Sequence, residues 1–101
     1  MTERTRLCLT VPLGSSVRIG DCDVEIASIV SKPGFNQRRY REALLRNSTG
    51  NELWFVENME AYFETYSLLV TEITTTKVRM AIHADKSVPI ARAGVELQDA
   101  D

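Results

Sequence analysis

Lys77-Val78-Arg79-Met80-Ala81-Ile82-His83, continuing as Ala84-Asp85-Lys86-Ser87-Val88-Pro89-Ile90-Ala91-Arg92, is the stretch on which the fold turns. Val78, Met80 and Ile82 alternate with Lys77, Arg79 and His83. Side chains that alternate this way line opposite faces of a half-buried strand. Ala84 to Ser87 is a polar connection. Val88 and Ile90 resume the alternation as a very short strand, and Arg92 closes it before an acidic tail. The expectation is two small antiparallel strands that place one arginine at a sheet edge.

Working outward, Leu7, Leu9 and Val11 alternate with Cys8 and Thr10, a strand with one buried face. Pro12 lacks a backbone donor and belongs at the strand's end or on an edge. Gly14-Ser15-Ser16 turns into a short strand through Val17 and Ile19, and Gly20-Asp21 turns again. Val24, Ile26 and Ile29-Val30 suggest a third strand, broken by Lys32-Pro33-Gly34. The middle of the chain predicts helix. Asn36 can cap a helix over Gln37–Arg46 with Tyr40, Ala43 and Leu44 on its apolar face. Asn47 to Asn51 ends it. Thr49-x-x-Glu52 fits a capping box. Met59, Tyr62, Phe63 and Tyr66 recur at i, i+3, i+4 and i+7, which predicts a second helix over Met59–Thr65. A competing reading makes Ala43–Leu45 and Leu53–Val56 a hairpin around Ser48-Thr49-Gly50-Asn51, and Leu53–Val56 stays open between the two. Ser67 to Ile73 is β-prone, and Thr74-Thr75-Thr76 leads into the Lys77 strand.

The chain has 101 residues, enough for one domain, with 44% hydrophobic and 26% charged residues, an ordinary globular balance. Its formal net charge is −2, so any contact with nucleic acid has to be local rather than a property of the whole surface. Cys8 and Cys22 are expected as free thiols of a cytoplasmic protein. His83 is the sole histidine, so no metal site and no cofactor is expected. The N-terminus, with Glu3, Arg4 and Arg6 and no long apolar core, predicts neither a signal peptide nor a membrane span. No nucleophile–base pair or phosphate loop appears, so the expectation is no catalytic residue and no enzyme.

The segment from Val78 to Arg92 resembles the signature of the carbon storage regulator (CsrA/RsmA) family. That signature is Val-Arg, an aliphatic, a small residue, an aliphatic, any residue, Ala-Pro-Lys, and then a Val-x-Val-x-Arg strand. Leu7-Cys8-Leu9-Thr10 and Gly14-Ser15-Ser16-Val17-Arg18-Ile19-Gly20-Asp21 are similar to the family's opening, an apolar strand leading into Gly-Glu-x-aliphatic-x-Ile-Gly-Asp. The matches cover roughly the first quarter and last third of the chain. They imply one α+β, mainly β domain: an antiparallel five-strand unit forming an intertwined homodimer. A partly helical insertion at about residues 31–66 would follow either the second strand or the third.

The resemblance also implies a function: binding of GGA-containing hairpin loops in messenger RNA or a regulatory small RNA, with repression or modulation of translation. The RNA-contact positions it carries over are Leu9 and Thr10 on the first strand and Val88, Ile90 and Arg92 on the last, the two strands coming from different subunits. An arginine fork can hold phosphate or a guanine edge. Arg6, Arg38 and Arg39 are additional candidates. There are departures. Val11 and Pro12 stand where the family has two arginines, which weakens phosphate attraction and flattens its salt dependence. Asp85 replaces a proline, and Ala91 and Gly94 replace more polar residues.

Each feature also has a plainer reading. The run Arg38-Arg39-Tyr40-Arg41 reads as the wet face of a helix as well as a patch with an aromatic for stacking. The Met59–Tyr66 stripe and Trp54-Phe55 read as core or interface, His83 as structural, and Asp21 and Asp23 as turn residues. The alternative function is a diverged interaction module that has lost tight RNA binding and engages a protein partner through the insertion.

Overall fold

A computed structural model describes residues 4–35, 38–92 and 96–99, with side chains over 6–35 and 38–91. The described residues are all-β rather than the expected α+β: two five-stranded antiparallel sheets pack face to face around one core. The strands are β1 (Arg4–Pro12), β2 (Ser16–Ile19), β3 (Cys22–Pro33), β4 (Arg39–Asn47), β5 (Glu52–Phe55), β6 (Glu60–Tyr62), β7 (Tyr66–Ile73), β8 (Lys77–Asp85), β9 (Ile90–Arg92) and β10 (Glu96–Asp99). The first sheet has the order β10-β1-β8-β7-β6 and the second β5-β4-β3-β2-β9.

The alternation read in β1, β2, β3 and β8 is the alternation observed. Leu9, Val11, Val78, Met80 and Ile82 come from one sheet, Val17, Ile19, Val24 and Ile26 from the other, and all are buried between the two. At about 25 cal/mol per Å² of buried apolar surface, this layer is the main favourable contribution to folding. The chain passes from β1 to the second sheet through Leu13 to Ser15. There Gly14 (φ +87°) takes a conformation open to glycine, and its N–H donates to Ile26 O at 2.9 Å.

Among the described residues the expected helical insertion is not found. The expected cap Asn36 and first helical residue Gln37 lie outside the described residues; over the rest of the expected helix to Arg46, β4 occupies Arg39–Asn47 and pairs with β3 from Val24↔Asn47 to Pro33↔Arg39. Ala43 and Leu45 are the buried pair, two residues apart. Arg, Glu, Ala and Leu favour helix intrinsically, but pairing with β3 and burial against the core override that preference. The competing hairpin reading holds: β4 pairs with β5 from Ala43↔Phe55 to Arg46↔Glu52. Thr49 and Glu52 form no capping box. Instead Asn47 Oδ1 accepts from Thr49 N (3.1 Å), Thr49 Oγ1 (2.7 Å) and Asn51 N (2.9 Å), a loop closed by a polar side chain.

The stripe from Met59 to Tyr66 is likewise no helix face. Tyr62 lies on β6 and is 78% exposed, Phe63 is 38% exposed, and Tyr66 opens β7 at 6%. Phe63 N donates to Tyr66 O at 2.8 Å across a tight turn, and the two rings stack with centroids 4.8 Å apart. Their i, i+3 spacing is the span of that turn.

Both segments proposed as a third strand are strands. β3 is the hairpin partner of β2, and β7 is the hairpin partner of β8 through Thr74 to Thr76. The expected strand pair at 77–92 is corrected in one respect. β8 and β9 do not pair: the chain changes sheet between them, β9 begins at Ile90, and Val88 sits in the connection. Asp85 makes that connection. Its Oδ1 accepts from Ser87 N (2.9 Å) and Ser87 Oγ (2.8 Å), and its carbonyl accepts from Val88 N (2.9 Å). The acidic tail returns to the first sheet as β10, paired with β1.

Candidate nucleic-acid interface

The two segments that carry the family resemblance are hydrogen-bonded neighbours. β1 and β8 run in register from Arg4↔Asp85 to Pro12↔Lys77. Leu9 faces the core opposite Met80, and Val11 opposite Val78. On the outer face Arg6 stands opposite His83, Thr10 opposite Arg79, and Pro12 beside Lys77. Arg6, Lys77 and Arg79 are exposed and Thr10 is half-buried. Thr71 Oγ1 donates to Arg79 O at 3.1 Å, which ties β7 to this edge of the patch. Carboxylates enter from β6 and β7: Glu60 Oε2 is 3.9 Å from His83 Nδ1, and Glu72 is paired in register with Arg79. The face is therefore mixed in sign, with its cations gathered on β1 and β8.

The sequence candidates divide between the sheets. Leu9 is 0% exposed, and β1 is bonded by β8 on one side and β10 on the other, so Leu9 presents neither side chain nor free backbone to a ligand. Thr10 reaches the outer face. Val88 and Ile90 are half-buried at the other sheet, where β9 is the edge strand. Arg92 pairs through its backbone with Val17; its side chain lies outside the described residues. Within one chain, Leu9 and Thr10 are not brought together with Val88, Ile90 and Arg92. Arg38 and Arg39 lie at the far end of the β3–β4 hairpin, and Arg39 donates from Nε to Ser31 Oγ (3.0 Å) and from Nη2 to Ser31 O (3.1 Å). Lys77 and Arg79 were absent from the sequence candidates, although the β8 alternation already placed them outward.

The Tyr66 phenol and the Lys32 ammonium stand apart from their usual values. Burial pushes the Tyr66 phenol well above its ordinary range, helped by Cys22, to whose Sγ the hydroxyl donates at 3.9 Å. Lys32 is raised by its hydrogen bond to Glu42, whose Oε1 lies 2.9 Å from Nζ. Cys8 and Cys22 are free cysteines. An apolar cleft beside Phe63 and Tyr66 offers about 50 Å³ of room, enough for a few waters rather than a metabolite. Among the described residues no group of three His, Cys, Asp or Glu side chains gathers as a metal would require, and no helix is long and apolar enough to cross a membrane.

Comparison with protein-family models, with curated proteins and with solved structures found no match.

Proposed function

We propose that this protein is an RNA-binding regulator of translation of the carbon storage regulator type, acting as a cytoplasmic homodimer on GGA-containing hairpin loops. The observation that carries the reading is the β1–β8 pair. It joins the two resembling segments side by side and turns Arg6, Thr10, Lys77 and Arg79 outward. Cations on a sheet hold phosphate, while the exposed edges of splayed loop bases are what such a surface reads. Arg92 would supply its contact from β9, which is an edge strand. Edge strands left unpaired in one chain are the places where a second chain can add.

The test is titration of a labelled GGA hairpin, with a CCA hairpin as control, at one fixed salt concentration. The reading expects preference for GGA. It expects Arg79→Ala and Arg92→Ala each to weaken binding by roughly tenfold, the loss of one charge-assisted contact. Equal binding of GGA and CCA loops would sink the specificity. Wild-type affinity in both variants would sink the site.

The second reading, a protein-interaction module, draws on the outer face of the second sheet. There Trp54 is exposed at 41% beside Leu44, with Lys32 Nζ 5.8 Å from the centre of its ring. Aromatic residues of this kind are enriched at interfaces.

A further inference from the structure

The β3–β4 hairpin runs past the core. Pairing continues through Ser31↔Arg41, Lys32↔Tyr40 and Pro33↔Arg39, yet every one of these residues is exposed and none belongs to the core. The molecule measures 46 × 25 × 24 Å, and a 12-residue strand such as β3 is about 40 Å long. The far turn is held by Gly34 N to Arg38 O at 2.7 Å and Arg38 N to Phe35 O at 3.2 Å. Phe35, at this end, is 95% exposed. A ribbon that buries so little of itself is not explained by packing.

Its charge is equally distinct. The stretch from Ser31 to Glu42 holds Lys32, Arg38, Arg39 and Arg41 against the single carboxylate Glu42, in a chain whose formal net charge is −2. On the body of the second sheet, arginines sit beside carboxylates: Arg18 with Asp23, and Arg46 with Glu25 and Glu52. On the arm only Lys32 has such a partner, Glu42. Arg38, Arg39 and Arg41 have no carboxylate partner among the described residues; Phe35 at the arm's end is exposed, and Tyr40 is exposed on the face of β4 opposite Arg39 and Arg41.

We propose that the β3–β4 arm is a second, sequence-tolerant binding surface for single-stranded RNA. Arg38, Arg39 and Arg41 meet phosphates, and Phe35 at the arm's end stacks on a base. Guanidiniums that face no carboxylate favour phosphate because each can form charge-assisted hydrogen bonds, Arg39 through the donors left after its bonds to Ser31. Every base has a face on which an aromatic ring stacks, so such a surface tolerates sequence. An anionic bilayer fits less well: a single phenyl ring at the arm's end is a weak anchor, and even one long acyl chain holds a protein only marginally. The proposal rests on the RNA reading only for the choice of polymer, since the arm lies apart from the β1–β8 face.

The experiment uses the full chain and a labelled 12-nucleotide RNA without GGA and without secondary structure. The triple change Arg38→Ala/Arg39→Ala/Arg41→Ala should flatten the slope of log affinity against log salt by about two, at roughly 0.7 per phosphate for a single strand. Phe35→Ala should weaken binding about tenfold. Neither change should lower the melting temperature, because these side chains lie off the core. Vesicles of anionic and of neutral lipid form the second arm of the test. An unchanged salt slope in the triple variant overturns the proposal. So does RNA binding indifferent to the arm when wild type, and not the triple variant, binds anionic vesicles. Loss of GGA preference with the arm effects intact would overturn the GGA reading and leave the arm standing.

Discussion

Leu9 and Thr10 are adjacent, and the structure assigns them opposite fates, which makes β1 a place to test the whole architecture. Leu9 is 0% exposed and packs in the core opposite Met80; Thr10 faces outward opposite Arg79. Leu9→Ala removes buried methyl and methine groups and leaves a cavity between two sheets that cannot easily collapse. The cost should be on the order of 3 kcal/mol, within the usual 2–5 for such a change. For a chain of 101 residues, that lowers the melting midpoint by roughly 12–20 °C. Thr10→Ala should stay within about 0.5 kcal/mol of wild type. Thermal unfolding followed by circular dichroism gives the midpoints, and urea titration gives the free energies, with the slope expected to stay constant. A Leu9→Ala protein that melts like wild type, paired with a strongly destabilised Thr10→Ala protein, would refute the register. A slip of one residue moves every side chain of a strand to the other face, so that result would also turn Arg6 inward and dismantle the proposed interface.

Two further outcomes follow from local geometry. Burial raises the Tyr66 phenol above its ordinary value, so the stabilising difference is fully present below the unfolded value, near pH 10, and is lost as pH rises above it. Tyr66→Phe should make the alkaline fall in urea midpoint shallower between about pH 9 and about pH 11, and an identical fall in both proteins would contradict the burial of that hydroxyl. Gly50 has φ +93° and open space where a Cβ would stand, so Gly50→Val should cost about 1–2 kcal/mol through backbone conformation alone, with Gly50→Asn costing less. Equal urea midpoints for Gly50→Val and wild type would show that the loop has another conformation.

How much of this was legible in the sequence depended on whether period and propensity agreed. β1, β2 and β8 alternate cleanly, with β-branched and aliphatic residues at the inward positions, and each appears where the alternation put it. β4 was hidden because its residues, Arg-Tyr-Arg-Glu-Ala-Leu-Leu-Arg, are good helix formers. Its inward pair Ala43 and Leu45 shows period two only once β3 and β5 flank it. The Met59–Tyr66 spacing misled for another reason: a four-residue turn and a helical turn share the same i, i+3 interval. Of the candidate site, the outward cations of β8 were readable from alternation. The separation of β1 and β9 into different sheets was not, because it is decided by where the chain crosses at Asp85 to Pro89.

The departures from the family pattern acquire a physical reason once the strands are placed. Val11 is buried opposite Val78, and an arginine there would carry a cation into an apolar layer at high cost unless it found a partner. Pro12 ends the strand beside Lys77. The two cations that the resemblance leads one to expect after Thr10 therefore have no room at the first of those positions. On the RNA reading, phosphate attraction must then come from elsewhere: from Lys77 and Arg79 on the strand next to β1, and from the arginines of the arm. Such a division has a consequence for binding. A loop reader that keeps its cations around one recognition strand gains affinity and specificity from the same contacts. Here affinity for any single strand would rest largely on the arm and discrimination on the β1–β8 face and β9, so salt should weaken the protein's hold on RNA more than its preference for GGA.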